Sequence, residues 1–287
     1  MQIEELLKKV HRLEIKTKAL SKHLFSGEYH SAFKGRGMSF SEVRSYQYGD
    51  DVRSMDWNVT ARTGAPHLKI FEEERELTLI LGLDVSASSY FGSQEVDKQA
   101  FMSEICAVLA FAALQNNDKV GLLLFSDKVE KYIPAKKGKA HVLYILRSLL
   151  AFTPQNKKTN LNVAFDFFNS VLKKRSICFL LSDFFADDYE KSLRISAQKH
   201  DLIGLKISDI LEEKLPNVGL LELQDRESGE NIWIDSSSAT VRYAYEQYFL
   251  DYQLQFKHFF QKSGADVLSF RTSEDYIKKL LGFFKKR

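Results

Sequence analysis

An α/β fold with a doubly wound, mostly parallel sheet is predicted from three observations. Strands and helices alternate from Leu77 onward. The first strand of that series is almost wholly apolar, and its end is marked by Asp84-Val85-Ser86-Ala87-Ser88. Alternation of this kind calls for a parallel sheet covered by helices on both faces, and a central strand then reads as a continuous apolar run.

The elements follow in order. Residues 77–85 form the first buried strand. Residues 95–117 have helical periodicity, with Phe101, Ile105, Val108, Leu109 and Ala112 on one face, and Asn116-Asn117-Asp118 ends the helix. Residues 119–125 are the next strand, and 128–134 return antiparallel because only Ser126-Asp127 intervenes. Helices at 140–152 and 161–174 flank a polar loop at 154–160. A strand at 176–182, a helix at 189–200 and a strand at 202–207 continue the alternation. Residues 215–235 interrupt it: 219–224 and 231–235 flank Glu227-Ser228-Gly229-Glu230, which reads as an inserted hairpin. A long helix at 240–263, a strand at 265–270 and a helix at 274–284 complete the domain. On the long helix Tyr245, Phe249, Tyr252, Phe256 and Phe259, with Tyr248 and Phe260 beside them, make an apolar face suited to packing on the sheet.

The chain thus divides into residues 77–287, the α/β domain with its hairpin near 215–235, and residues 1–76, an N-terminal appendage. Residues 4–25 read as a helix and 33–66 as a turn-rich segment anchored by Phe40, Val43, Tyr46, Met55 and Trp57. Residues 67–76 lead into the domain as an extended strand.

Bulk properties exclude several functions. Lys and Arg total 41 against 38 Asp and Glu, so the net charge of +3 exerts little pull on nucleic acid or anionic membrane. Cys106 and Cys178 each lie in an apolar run and read as buried free thiols, as in a reducing compartment. The N-terminus lacks the apolar core of a signal peptide, and the longest uncharged apolar run, 105–114, is too short to span a bilayer. A cytoplasmic protein is expected, near a membrane only through a partner. The seven histidines show no zinc spacing, and there is no phosphate-binding Gly-rich loop and no nucleophile elbow.

Ligands of such sheets bind beyond the carboxyl ends of the strands, here after Leu83, Phe125 and Leu181. Asp-x-Ser-x-Ser in that position brings one carboxylate and two hydroxyls to a common point, and hard oxygen ligands suit Mg²⁺ or Mn²⁺. With Ser182-Asp183 at another strand end and Thr159 closing a polar loop, the sequence resembles the von Willebrand A (integrin I-like) superfamily. That resemblance implies a metal-ion-dependent adhesion site of Asp84, Ser86, Ser88, Thr159 and Asp183, with Ser86, Ser88 and Thr159 offering hydroxyls. Asp84 and Asp183 would act directly or through water.

Upstream, Gly35-Arg36-Gly37-Met38-Ser39-Phe40, Arg44-Ser45-Tyr46-Gln47-Tyr48-Gly49-Asp50-Asp51-Val52-Arg53 and Asp56-Trp57-Asn58-Val59-Thr60-Ala61-Arg62 resemble the bacterial domain of unknown function 58 family. The lead-in Phe71-Glu72-Glu73-Glu74-Arg75 does so too. That family joins such a segment to a von Willebrand A-like domain, and the resemblance implies partnership with a MoxR-type AAA+ ATPase. Arg44, Arg53 and Arg62 either interlock with Asp50, Asp51 and Asp56 to hold the appendage, or some of these arginines reach an acidic partner. Arg44, Asp50, Arg53, Asp56, Trp57 and Arg62 are therefore the candidate partner-binding residues.

The functional expectation is a divalent-cation-dependent protein-binding module, an adaptor or chaperone-like partner, and not an enzyme. The alternative is a metal-dependent phosphoryl-transfer or hydrolytic enzyme using Asp84 and Asp183.

Overall fold

A computed structural model describes residues 38–73, 77–92, 97–224 and 229–287 of the protein. The helix expected at 4–25 lies outside the described residues.

The described chain begins with strand β1 (Met38–Ser45), a 3-10 turn at Val52–Ser54, helix α1 (Trp57–Thr63) and strand β2 (His67–Glu73). β1 and β2 pair antiparallel as a sheet of their own, with Arg44 opposite Leu68. Part of the segment read as turn-rich is therefore a strand and a helix. Local chemistry explains the helix. Asp56 accepts from the amides of Asn58 and Val59 at its start, and Gly64 closes it in the left-handed conformation that glycine adopts without strain.

The α/β domain follows as β3 (Thr78–Asp84), α2 (Lys98–Gln115), β4 (Lys119–Phe125), β5 (Val129–Lys136), α3 (Lys139–Leu150), α4 (Leu161–Val171), β6 (Ile177–Ser182), α5 (Glu190–Lys199) and β7 (Asp201–Ser208). Then come α6 (Ile210–Glu213), β8 (Leu220–Gln224), β9 (Asn231–Asp235), α7 (Ala239–Lys262), β10 (Asp266–Arg271) and α8 (Tyr276–Lys286). Six strands form one sheet in the order β10-β7-β6-β3-β4-β5. All neighbours are parallel except β4 and β5. The expected doubly wound sheet, its antiparallel edge and the hairpin β8–β9 are all present. The short helix α6 falls where the sequence reading had only a break in the alternation.

Period-two alternation divides each strand between two cores. Leu79, Leu81 and Leu83 of β3 face a core shared with α2, α3 and α8. Ile80 faces the other, built with Phe165 and Phe168 of α4, Leu193 of α5, and Phe256 and Phe260 of α7. The long aromatic helix packs on the sheet as expected, burying Phe249, Phe256 and Phe260 while Tyr248 stays exposed. α2 departs from its amphipathic reading. It is buried nearly all round, because Tyr276 of α8 packs edge-on to Phe101 at 5.3 Å and α3 covers it as well. Both cysteines are buried free thiols.

Candidate metal centre at the carboxyl end of the sheet

The chain runs outward from β3 in both directions, to β4 on one side and β6 on the other, so the sheet reverses its winding at β3. The carboxyl end of β3 lies at that switch point and carries Asp84. Parallel register sets Leu83 opposite Leu181, which brings Ser182 beside Asp84.

Asp84 is fully buried and its two oxygens are held separately. Oδ1 accepts from the Ser86 amide at 2.9 Å, and Oδ2 accepts from the Ser182 hydroxyl at 2.7 Å. Ser182 is held in turn, since its Oγ accepts from the Phe184 amide at 3.1 Å. The turn after Asp84 is a 3-10 helix at Ala87–Tyr90, closed by Ser89 Oγ donating to the Asp84 carbonyl at 3.0 Å. That turn places the Ser86 and Ser88 hydroxyl oxygens 3.1 Å apart.

Thr159 comes from the loop before α4. Two backbone bonds bracket it: the Ala87 amide donates to the Lys157 carbonyl at 2.9 Å, and the Asn160 amide to the Ser126 carbonyl at 3.2 Å. The loop is thereby tied to the ends of β3 and β4, with Thr159 half-buried between them. Asn156 adds a bond to Asp127 at 2.6 Å. The five candidate ligands thus come from the ends of β3 and β6 and from the loop between α3 and α4.

Asp183 is almost fully buried, and the sequence reading missed what neutralises it. The Lys98 ammonium, on the first residue of α2, lies 2.9 Å from Asp183 Oδ2 and 2.5 Å from Oε1 of Glu212 on α6. Asp183 Oδ1 accepts from the Phe185 amide at 3.2 Å. Lys206 of β7 donates to the Asp183 carbonyl at 2.7 Å, and its ammonium lies 4.4 Å from the centre of the Phe185 ring. No spacing rule links residues 98, 183, 206 and 212; the one clue in the sequence is a lysine at a helix start, where the helix dipole disfavours positive charge.

The two aspartates are held in opposite electrostatic states. Burial, reinforced by the nearby Asp183 charge, pushes the Asp84 carboxyl up to about 6. Burial acts on Asp183 as well, but the charge and hydrogen bond of Lys98, with the bond from the Phe185 amide, bring it below the usual carboxylate range. Burial also works against the Lys98 ammonium, yet Asp183 and Glu212 together hold it above the ordinary lysine value. Burial brings Lys206 down to about 8.

Among the described residues no group of three or more His, Cys, Asp or Glu side chains is placed to hold a metal, so an ion here would depend on hydroxyl oxygens. That donor set fits Mg²⁺ or Mn²⁺, which accept few protein ligands and retain waters, and does not fit a soft, thiolate-seeking ion. Beside the centre lies a groove of about 560 Å³ lined by Ala87, Tyr90, Phe152, Pro154, Asn156 and Gln224 among others.

The upstream candidates make local contacts. Arg44 forms a bidentate pair with Asp50 at 2.7 and 2.8 Å, while Asp51 and Asp56 serve as helix caps. Arg53, Trp57 and Arg62 are exposed. The expected mesh of three arginines and three aspartates is thus represented by one direct pair, Arg44 with Asp50, among the described ion pairs.

Several known proteins are similar to this chain. An uncharacterized Mycobacterium tuberculosis protein, Rv1480, is 29% identical over 278 residues, spanning 96% of this chain and 87% of its own. The uncharacterized Bacillus subtilis protein YeaD is 30% identical over 109 residues, 38% of this chain and 25% of its own. Similar solved structures include the conserved hypothetical protein BatB from Bacteroides thetaiotaomicron, at TM-score 0.48 and 13% identity over 74% of this chain and all of that one. The SpRpn10 VWA domain matches at TM-score 0.42 and 12% identity, over 72% of this chain and 95% of that one. Because the model of the family described as "Protein of unknown function DUF58" matches residues 42–253, the chain belongs to that family.

Proposed function

We propose that this protein is a divalent-cation-dependent protein-binding module. Asp84, Ser86, Ser88, Thr159 and Asp183 would hold Mg²⁺ or Mn²⁺, and the ion would offer a coordination position to a partner's Asp or Glu carboxylate. The observation that carries the reading is the pair of Ser86 and Ser88 hydroxyl oxygens, 3.1 Å apart, in the turn that follows the buried Asp84 carboxylate at the sheet's switch point. Asp183, with Lys98 and the Phe185 amide already on its oxygens, is suited to act through water. The adjoining groove is of a size to take the partner segment that bears the carboxylate. Metal and partner would then each strengthen the binding of the other by the same factor.

The proposed partner is a MoxR-type AAA+ ATPase and the proposed compartment the cytoplasm. The partner is carried over from the family resemblance; among the described residues no helix is long and apolar enough to cross a membrane. Arg44, Asp50, Arg53, Asp56, Trp57 and Arg62 are proposed as a second contact surface, on which Arg53, Trp57 and Arg62 are exposed. Binding is favoured over phosphoryl transfer or hydrolysis because Asp84 is fully buried with both oxygens accepting hydrogen bonds, a poor presentation for a nucleophile.

Thermal melting in EDTA, Ca²⁺, Mg²⁺ and Mn²⁺, with Asp84→Ala alongside, tests the metal. Cation at ~100 times its dissociation constant adds about 2.7 kcal/mol, several degrees for a domain of this size. A Mg²⁺ or Mn²⁺ shift lost in Asp84→Ala supports the site, and no shift at millimolar cation overturns it. Capture of the ATPase that persists unchanged in EDTA would remove the metal from recognition.

A further inference from the structure

Lys98 is placed against two physical preferences. It is the first residue of α2, where the helix dipole repels positive charge, and it is 1% exposed, where an ammonium loses its hydration. Two carboxylates offset these costs. Asp183 lies at 2.9 Å and Glu212 at 2.5 Å from Nζ, and they reach it from different segments, the end of β6 and α6. Both carboxylates are fixed independently of the lysine. The second oxygen of Glu212 accepts from the Asp209 amide at 2.9 Å, in a reciprocal cap of α6, and the second oxygen of Asp183 accepts from the Phe185 amide. The ammonium therefore lies between two anchored acceptors, one of which belongs to the candidate metal centre.

We infer that Lys98 is the centre's resident cation, competing with a divalent ion for Asp183, and that Glu212 limits this competition by holding the ammonium. The inference rests on the proposed metal site and extends it, making Lys98 and Glu212 positioning residues that set metal affinity without touching the ion. Like charges at close range repel, so an ion entering beside Asp183 is opposed by the Lys98 charge. The Glu212 carboxylate keeps the ammonium paired when Asp183 is drawn toward the ion. The two residues must then act with opposite sign, which a merely structural role does not produce, since loss of either support would loosen the centre and weaken binding alike.

Titration calorimetry of the full chain with Mg²⁺ and Mn²⁺ reads this directly. Lys98→Met is expected to tighten binding by about tenfold or more, and Glu212→Gln to weaken it by a similar factor. The Lys98→Met, Glu212→Gln double variant preserves the net charge and relieves the burial of an unpaired Glu212. It is expected to bind metal more tightly than Glu212→Gln alone, and that comparison decides the matter should Lys98→Met fail to fold. Equal signs for the two single variants, or a double variant no tighter than Glu212→Gln, overturns the role of Lys98. If the wild type binds neither ion, binding that appears in Lys98→Met or the double variant upholds the resident cation while the metal-dependent function falls. No binding in any form overturns both.

Discussion

Ser182 Oγ donates to Asp84 Oδ2 at 2.7 Å across 98 residues of sequence, and this bond joins the ends of β3 and β6 at the point where the sheet reverses its winding. Ser182 also accepts from the Phe184 amide, so one hydroxyl orients the buried carboxylate and the turn that carries Asp183. The candidate centre is in this sense built into the sheet, with its buried carboxylates oriented by the fold.

That arrangement has a cost in stability that a neutral isostere should reveal. The Asp84 carboxyl lies at about 6 against an ordinary 3.8, so over that interval the folded chain binds more protons than the unfolded one. Stability contributed at this position therefore falls as pH rises from 3.8 through about 6 and stays low above it, by roughly 3 kcal/mol. In metal-free buffer the melting temperature of Asp84→Asn relative to wild type is expected to climb between pH 4 and pH 7. Parallel profiles for the two proteins would contradict a destabilising buried charge.

Acid sensitivity of the opposite sign is expected from His200, far from the centre in the hydrogen-bond network. Its Nδ1 accepts from the Ser176 amide at 3.3 Å, and its Nε2 donates to the Phe168 carbonyl at 3.1 Å. Burial moves the imidazole below its ordinary 6.5, so the folded chain resists protonation that the unfolded chain accepts. The stability from the neutral ring is complete above 6.5 and is lost as pH falls below it. His200→Asn should cost about 1–2 kcal/mol near pH 7.5 and flatten the decline on the acid side. Denaturant midpoints at a series of pH values measure both, and an unchanged acid slope would count against this assignment.

Close packing of α7 on the sheet depends on a missing side chain. A Cβ at Gly204 would lie 2.5 Å from Cε1 and 2.7 Å from Cζ of Phe260, a ring that is fully buried and 4.8 Å from Phe256. Gly204→Ala is expected to destabilise by about 1–3 kcal/mol through overpacking, and adding Phe260→Leu should recover part of the loss. Chemical denaturation of the two forms provides the comparison. A neutral single substitution would mean that the ring yields at little cost.

The sequence alone carried the order of elements and the place of the candidate centre. Apolar runs at β3, β4 and β6 specify buried strands because they are continuous, and the three residues between β4 and β5 leave room only for an antiparallel return. Asp84, Ser86 and Ser88 are legible because their relation is local, within one strand end. Tertiary structure decided what surrounds them. Lys98 meets Asp183 across 85 residues and Glu212 across 114, and no pattern of neighbours in the chain encodes those meetings. Periodicity likewise showed one apolar face on α2, but its nearly complete burial depends on α3 and α8 packing over the other side. Period and spacing express local geometry, whereas the electrostatic state of a buried carboxylate depends on which charges the fold brings within a few ångströms.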